Sequence, residues 1–130
     1  CVVISNGFFE WKRGGNSKIP YYIHHSDGKI LAMAGLCKWD RDLDGNRKLV
    51  YTIITKQARP SLEKIHHREP VMLTDRSLSS WINVNEPCRD PLSLLNDNTD
   101  RISSYEVSKF VNKSSNNSQE CISRIDYAKN

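Results

Sequence analysis

CVVISNGFFEWK, residues 1–12, opens the chain with two short apolar and aromatic runs of the β type. The Asn6-Gly7 pair that divides them favours a tight turn, because both residues tolerate the left-handed backbone that a two-residue hairpin requires. We therefore predict strands over residues 2–5 and 7–12, joined as a hairpin.

Downstream of this segment, short β-type runs continue to alternate with turn residues. Further strands are predicted at residues 20–24, 30–36, 49–55 and 102–107, with loops at residues 13–16, 27–28, 40–46 and 112–120. Pro20 is expected at the first position of its strand, where its missing N–H is tolerated.

Helical signals lie in the second half of the chain. Pro60 confines a turn or short helix within residues 58–65 to begin near it. Thr74 is a good N-cap for a helix over residues 75–82, and another short helix follows at residues 91–95. Together these elements predict an α+β fold whose mostly antiparallel sheet curls toward a barrel.

Composition bounds the function only loosely. The chain of 130 residues has the size of one domain, and its net charge of +4 is compatible with nucleic acid without establishing it. The four cysteines lie far apart and lack the CxxC spacing of a zinc site. They favour a reduced intracellular protein over a secreted domain with two disulfides, and we expect no metal or other cofactor. No apolar run reaches the length of a membrane span, so we expect no membrane association.

Glu10 is the candidate acid. It lies between Phe9 and Trp11, and aromatic side chains that shield a carboxyl group from water favour its protonated, proton-donating form. The competing interpretation is a strand glutamate that pairs with a neighbouring lysine. The residues alone leave both interpretations open.

IHHREP, residues 65–70, supplies the candidate imidazole. A histidine changes charge near neutral pH, so His66 can give or take a proton at pH 7. His67 is the alternative, because adjacent residues in an extended segment point in opposite directions, and a plain surface histidine is the competing interpretation for either. A metal site built on His66, His67 and Glu69 is disfavoured, since Pro70 opposes the helix that the HExxH spacing needs.

Six segments, which keep their order and span nearly the whole chain, resemble the SOS response-associated peptidase (SRAP) family. They are CVVISNGFFEWK (1–12), KIPYYI (18–23), LAMAGL (31–36), YTIIT (51–55), IHHREPVML (65–73) and VSKFVNKSSNNSQECI (107–122). The resemblance implies the C-terminal part of a SRAP domain over residues 1–126 and a tail at residues 127–130. Because the chain begins inside a strand-like run, we expect the family's N-terminal catalytic segment to lie outside it.

The resemblance implies abasic-site processing in single-stranded DNA as part of the DNA damage response. Proteins of this family crosslink to the abasic site through an N-terminal cysteine, whose amine and thiol capture the sugar aldehyde as a thiazolidine. Removal of the initiator methionine by the same domain is associated with this chemistry. The matching catalytic residues are Glu10 and His66, and Trp11, Thr55 and Arg68 match positions that line the DNA groove.

Each DNA-groove residue also has a plain structural interpretation. Arg68 can hold two phosphate oxygens with its planar fork, or it can form a surface ion pair with Glu63 or Glu69. Trp11 can stack on a base or on the gap left by a missing one, or it can pack in the core. Thr55 can donate to a phosphate, or it can simply be a β-branched residue that suits a strand.

Two positions depart from the family's pattern. Glu69 stands where the family usually carries methionine, and we expect its carboxylate near the DNA phosphates or near His66. Cys1 is followed by Val-Val rather than Gly-Arg and matches an ordinary strand cysteine, so we do not assign it as the nucleophile. Enzymatic activity of this chain therefore stays open. The alternative is a non-covalent single-stranded DNA-binding remnant, and a peptidase that acts on other proteins ranks last.

Partners and location follow from the resemblance alone. It implies a monomer that binds single-stranded DNA with abasic sites, with replication-fork proteins as further candidate partners. It implies a nuclear location, with the cytoplasm as a second compartment.

Overall fold

The computed structural model describes residues 1–15, 17–97 and 99–126. Its strands are β1 (Val2–Ser5), β2 (Gly7–Gly14), β3 (Ser17–His25), β4 (Leu31–Arg41), β5 (Arg47–Ile53), β6 (Thr55–Gln57), β7 (Arg68–Pro70) and β8 (Ile102–Glu106). Its helices are α1 (Pro60–Glu63), α2 (Asp75–Trp81) and α3 (Pro91–Leu94), with 3-10 turns at Lys109–Asn112 and Gln119–Ile122. No helix within the described ranges has the length and apolar character needed to cross a membrane.

The described strands form three sheets. β4 lies between β1 and β5 in the first sheet, β3 lies between β2 and β8 in the second, and β6 pairs with β7 in the third. The ladders of both three-stranded sheets are antiparallel, which confirms the predicted α+β class with mostly antiparallel pairing. The predicted curl toward a barrel is wrong, because the consecutive strands β1 and β2 join different sheets and none of the three closes on itself.

The chain divides into two compact units. Unit 1 comprises residues 1–5, 30–56 and 70–100, and unit 2 comprises residues 6–29, 57–69 and the described residues from 101 onward. Each unit has its own small apolar core, which is the expected consequence of a chain that alternates between separate sheets.

The core of unit 1 collects residues from β4 and from the segment before α2. Its buried members are Ala34, Val71 and Leu73, and the half-buried side chains packed on them are Val2, Ile54, Leu78, Trp81 and Leu95. Thr74 caps α2 as predicted: its Oγ1 accepts the Ser77 N–H at 3.2 Å, and Ser77 Oγ accepts the Thr74 N–H at 2.9 Å.

The core of unit 2 packs α1 against strands β2 and β3. Its buried members are Ile23, Ala58, Leu62 and Ile65, with Phe8, Tyr21 and Ile102 packed against them. The helix begins at Pro60, as predicted, and turns Leu62 into this cluster. Strand β2 carries the candidate acid Glu10, and the chain that leaves α1 carries the candidate imidazole His66. Because both elements pack on this core, the core positions both side chains.

The hairpin predicted at Asn6-Gly7 is wrong, because β1 pairs with β4 and β2 pairs with β3. Positive φ, which the predicted turn requires, occurs among the described residues only at Gly15, Gly28 and Gly45. Gly7 is instead needed for its small size. A Cβ at Gly7 would lie 2.4 Å from Tyr22 Cζ and 2.6 Å from the Ile23 carbonyl oxygen.

Two predicted strands differ in detail. Pro20 is the fourth residue of β3 rather than the first, and its carbonyl accepts the Val107 N–H at 3.0 Å just beyond the point where the β8 ladder begins. The predicted strand 49–55 is interrupted at Ile54, whose N–H donates to the Ala34 carbonyl. Hydrogen bonds to backbone groups distant in sequence determine where Pro20 lies in β3 and where the predicted strand 49–55 is interrupted. Local composition cannot predict such partners.

Candidate active site

A cleft of about 360 Å³ opens in unit 2 beside the edge strand β2. The residues that line it are Glu10, Trp11, Arg13, Lys18, His66 and Asn112. We refer to it as the Glu10 cleft. The acid and the imidazole proposed from the sequence thus border the same space, together with one of the three predicted DNA-groove residues. Their roles in catalysis stay a prediction.

The side chain of Glu10 lies between the unit 2 core and the Glu10 cleft. Strand alternation puts it on the same face of β2 as Phe8, which packs into the core. The carboxyl group is half-buried and also borders a small void lined by Phe8, Leu62 and Ile65. Its Oε1 accepts the Trp11 backbone N–H at 3.0 Å, which fixes the orientation of the group. Shielding therefore comes from Phe8 and α1, while Phe9 and Trp11 lie on the opposite face.

His66 is held by its own neighbourhood in the turn that leaves α1. Its backbone N–H donates to the Leu62 carbonyl at 3.0 Å. Its Nδ1 lies 3.2 Å from the Arg68 backbone nitrogen and 3.1 Å from the Arg68 carbonyl oxygen. Nδ1 can accept from the first or donate to the second, so the same anchor serves both charge states of the ring. Both of these contacts are made by Nδ1 and not by Nε2.

The sequence predicts that His66 and His67 point in opposite directions, and this prediction is wrong. The two rings lie 4.4 Å apart between centroids, with 39° between their planes. The prediction assumed an extended segment, whereas the backbone here is still leaving the turn of α1, where the Ile65 and His66 N–H groups both donate to Leu62. The contact with His67 restricts the rotation of the His66 ring.

Trp11 packs against its neighbours, which is one of the two roles that the sequence left open, and its contact with DNA stays a prediction. Its side chain is half-buried and lies on the face of β2 opposite Glu10, with 6.4 Å between the centroids of the Trp11 and Phe9 rings. Its Nε1–H donates to Asn112 Oδ1 at 2.7 Å, and both side chains line the Glu10 cleft. The indole is therefore fixed by packing and by one hydrogen bond while part of its surface remains available to a ligand.

Arg13 and Lys18 are site residues that the sequence reasoning missed. They are direct cross-strand partners in the β2–β3 ladder, and both side chains are exposed at the Glu10 cleft. A β-hairpin predicted with its turn at Gly15 would have placed Arg13 and Lys18 opposite each other. Like charges placed opposite each other on a sheet cost stability unless an anion lies between them. The pair therefore favours an anionic ligand in the cleft.

The remaining two predicted DNA-groove residues lie on the short strands β6 and β7. Arg68 is exposed at the start of β7, and it borders the small void that Glu10 and His66 also line. Its backbone is the anchor of the His66 ring described above. Thr55 belongs to unit 1 and is exposed at the start of β6.

Glu69 is not available to DNA phosphates, which corrects one of the two expectations for it. Its side chain is 1% exposed, and its Oε2 lies 2.9 Å from Arg59 Nε in a buried ion pair. The second expectation placed Glu69 near His66, and both residues do border the same small void.

Cys1 behaves as an ordinary strand residue of unit 1. Its backbone nitrogen donates to the Gly35 carbonyl at 3.0 Å, and its carbonyl accepts the Gly35 N–H at 3.0 Å, which extends the β1–β4 ladder by one position. The Trp81 Nε1–H donates to the same carbonyl at 2.8 Å. In the described part of the chain, no group of three or more His, Cys, Asp or Glu side chains could hold a metal ion.

The Glu10 cleft thus brings together a half-buried carboxyl group, an anchored imidazole and two cationic side chains, which are the groups predicted for acid–base chemistry on an anionic ligand. Sequence comparison identifies the protein family. The chain belongs to the SOS response associated peptidase (SRAP) family, whose sequence model matches residues 1–114. The resemblance predicted from the six segments is thereby confirmed.

Similar curated proteins carry the name abasic site processing protein. HMCES of Gallus gallus is 32% identical over 97% of this chain and 44% of its own length. YoqW of Bacillus subtilis (strain 168) is 39% identical over 94% of this chain and 56% of its own length. The chain thus spans about half the length of the curated relatives it matches.

Solved structures with the same fold include two bacterial proteins. A protein from Bacteroides thetaiotaomicron superposes with a TM-score of 0.81 at 32% identity, over 96% of this chain and 56% of that one. A phage-related protein from Bordetella bronchiseptica gives a TM-score of 0.64 at 28% identity, over 82% of this chain and 52% of that one. Both support the α+β architecture described above.

Proposed function

We propose that this chain carries the acid–base part of a site that processes abasic sites in single-stranded DNA by covalent crosslinking. The observation that carries the proposal is that Glu10 and His66 line one cleft, next to an indole and two cationic side chains. The names of the relatives, at 32% and 39% identity, support the substrate class. Because the chain spans about half of those relatives, the activity of the whole protein is part of the proposal.

The proposed reaction begins with opening of the abasic sugar. His66 donates a proton from Nε2 to the ring oxygen, the C1′–ring oxygen bond breaks, and the hemiacetal hydroxyl releases its proton to solvent as the aldehyde forms. The Nδ1 anchor on the Arg68 backbone supports this step, because it holds the ring in place before and after proton transfer. The resting charge of His66 is restored by a proton from solvent.

Capture of the aldehyde requires the amine and the thiol of an N-terminal cysteine. The amine adds to the aldehyde carbon, Glu10 protonates the resulting hydroxyl, and water leaves to give an iminium ion. The thiol then adds to the iminium carbon and its proton returns to Glu10. One C–N bond and one C–S bond replace the C=O bond of the aldehyde, one water is released, and Glu10 ends in its starting form.

We assign this thiol to a cysteine other than the four in the chain. Only a cysteine with an available amine can close a thiazolidine. Cys1 pairs with Gly35 through both its nitrogen and its carbonyl, as a residue inside a strand does, and the other three cysteines have no free amine because they lie within the chain. The associated removal of an initiator methionine belongs to the same assignment.

The remaining elements of the proposal concern binding. Arg13 and Lys18 attract the DNA backbone to the Glu10 cleft, and Trp11 offers a ring for stacking at the gap left by the missing base. Arg68 and Thr55 are proposed as further backbone contacts. A monomeric state, a nuclear location and contact with replication-fork proteins accompany this function as expectations.

The test is a crosslinking assay with the intact protein and a labelled single-stranded oligonucleotide that contains one abasic site. We expect a labelled band of protein size that survives denaturing electrophoresis, and no such band with the undamaged oligonucleotide. Cys1→Ser should leave the yield unchanged. Loss of the adduct in Cys1→Ser would contradict the assignment of the thiol, and tight binding without any adduct would favour the non-covalent alternative.

A further inference from the structure

The Glu10 cleft has two sides, because strand β2 runs between them. Side chains alternate between the two faces of a strand, so Glu10 lies on the face of β2 that packs on the unit 2 core, whereas Trp11 and Arg13 lie on the other face. Glu10 and His66 together border the small void beside that core. The two candidates for proton transfer therefore lie on one side of β2, and Trp11 and Arg13 lie on the other.

The turn between β2 and β3 holds Arg13 and Lys18 opposite each other. The last pair of this ladder is Gly14 with Ser17, and Gly15 in the turn has a φ of +56°, which glycine adopts without strain. A turn this short fixes the register of the two strands. Direct cross-strand partners share a face of the sheet, so the two cations are neighbours on the same side of β2.

Both cations lack an anionic partner in the part of the chain that the structure describes. Neither Arg13 nor Lys18 takes part in the ion pairs or side-chain hydrogen bonds of the described residues. Among the described residues that line the Glu10 cleft, Glu10 is the only carboxylate, and it lies on the opposite face of β2. An oxygen-rich anion between the guanidinium and the ammonium would relieve their repulsion, and a phosphate suits both groups.

We propose that Arg13 and Lys18 form a subsite for one phosphodiester on a single flank of the abasic sugar. The sugar lies on the Glu10 side of β2, the DNA backbone passes Trp11, and a phosphate of that flank lies between the two cations. The inference rests on the function proposed above and defines its substrate class more closely. The substrate is an abasic sugar whose strand continues in the direction of the subsite.

The position of the subsite makes recognition directional. Backbone positions three residues apart in a strand, such as those of Glu10 and Arg13, are separated by about 10 Å. The cations thus lie to one side of the groups that would act on the sugar, with Trp11 between them. An abasic sugar at the end of a strand would lose this contact if the missing flank is the one that binds the subsite, and would keep it if the other flank is missing.

The experiment uses the intact protein and single-stranded oligonucleotides that contain a tetrahydrofuran analogue of the abasic sugar, which cannot crosslink. In each oligonucleotide one phosphate near the analogue is replaced by an uncharged methylphosphonate, and fluorescence anisotropy measures the affinity. Lys18→Gln and Lys12→Gln form a matched pair. Both remove one lysine charge, but Lys12 alternates to the face of β2 opposite Arg13.

We expect one methylphosphonate position, on one flank, to weaken binding by the wild type about fivefold, the value for one exposed charge pair. The same replacement should have almost no further effect on Lys18→Gln, and its full effect should remain in Lys12→Gln. An oligonucleotide that ends at the analogue, without the flank that binds the subsite, should lose affinity by the same factor. Additive effects of Lys18→Gln and the methylphosphonate at every position, or equal non-additivity on both flanks, would overturn the proposal.

Failure of this inference can be told apart from failure of the proposed function, because the analogue reports binding and not chemistry. A non-additive position on one flank, found together with no adduct in the crosslinking assay, would support the subsite and contradict the crosslinking function. An adduct from a protein that shows no such position would support crosslinking and overturn the subsite.

Discussion

Arg59 holds both carboxylate oxygens of the buried Glu69. Its Nε donates to Oε2 at 2.9 Å and its Nη2 donates to Oε1 at 3.1 Å, while its backbone N–H adds a third bond to Oε2 at 3.3 Å. The ion pair joins the residue before α1 to the middle of β7. The turn that carries His66 lies between these two points, so the pair fixes both ends of the segment that presents the imidazole.

Breaking this ion pair from one side should destabilise the fold. Arg59→Leu leaves the Glu69 carboxylate buried without its guanidinium, and we expect a loss of about 3–5 kcal/mol in the free energy of unfolding. The double variant Arg59→Leu/Glu69→Met replaces the pair with apolar groups and should recover most of that loss. Urea unfolding of both variants measures the difference. A double variant as unstable as Arg59→Leu alone would contradict the prediction.

Gly7→Ala should destabilise the start of β2. The added methyl group would meet the Ile23 carbonyl oxygen at 2.6 Å, and a backbone atom in a paired strand cannot move aside cheaply. We expect a cost of about 1–3 kcal/mol, typical of overpacking. Gly28→Asn is the control: its φ is +70° with open space around it, and asparagine tolerates that conformation. Thermal melts in which both variants lose the same stability would disprove the steric explanation.

The stability of the fold should fall at alkaline pH. Burial, and then the proximity of Tyr105, raise the pKa of Tyr22 above its usual value of 10.0. The folded state therefore holds the phenol proton more tightly than the unfolded chain, so this contribution is complete below about pH 10 and is lost as the pH rises through the folded pKa. Tyr22→Phe should flatten the decline of unfolding free energy above pH 10. Tyr51→Phe, at an exposed position, should not.

The hydrogen bond from Trp11 to Asn112 should matter more for ligand binding than for folding. Asn112→Ala removes the acceptor that orients the indole at the Glu10 cleft. We expect binding of an abasic single-stranded oligonucleotide to weaken by about two- to tenfold, the range for one net hydrogen bond. Asn117→Ala, in the same polar segment, is the matched control. Equal affinities of Asn112→Ala and Asn117→Ala in a filter-binding assay would show that the hydrogen bond has no part in binding.

Local chemistry was sufficient to predict some elements of the fold. The Thr74 cap and the start of α1 at Pro60 depend on side chain–backbone contacts and ring geometry within one turn, which the sequence displays directly. The Asn6-Gly7 turn failed for the opposite reason. Its local preference was outweighed by pairing of β1 with a strand more than twenty residues away, and Gly7 was selected by space rather than by φ.

The same distinction applies to the candidate site. Glu10 and His66 stand in informative segments, so residue type and context singled them out. Glu69 was misplaced because its partner, Arg59, lies ten residues upstream and no spacing rule links the two outside a helix. Arg13 and Lys18 were missed because only the register of the β2–β3 hairpin brings them together.

The most direct test of the central claim compares crosslinking rate with DNA affinity in two conservative variants. Glu10→Gln keeps the size and polarity of the side chain, and His66→Asn keeps a polar group near the Arg68 backbone, but neither can move a proton near neutral pH. We expect single-turnover crosslinking to an abasic oligonucleotide to slow by about 100-fold in each, while affinity for the undamaged oligonucleotide changes by less than about threefold. Equal losses of rate and affinity, or wild-type crosslinking rates in both variants, would contradict the account.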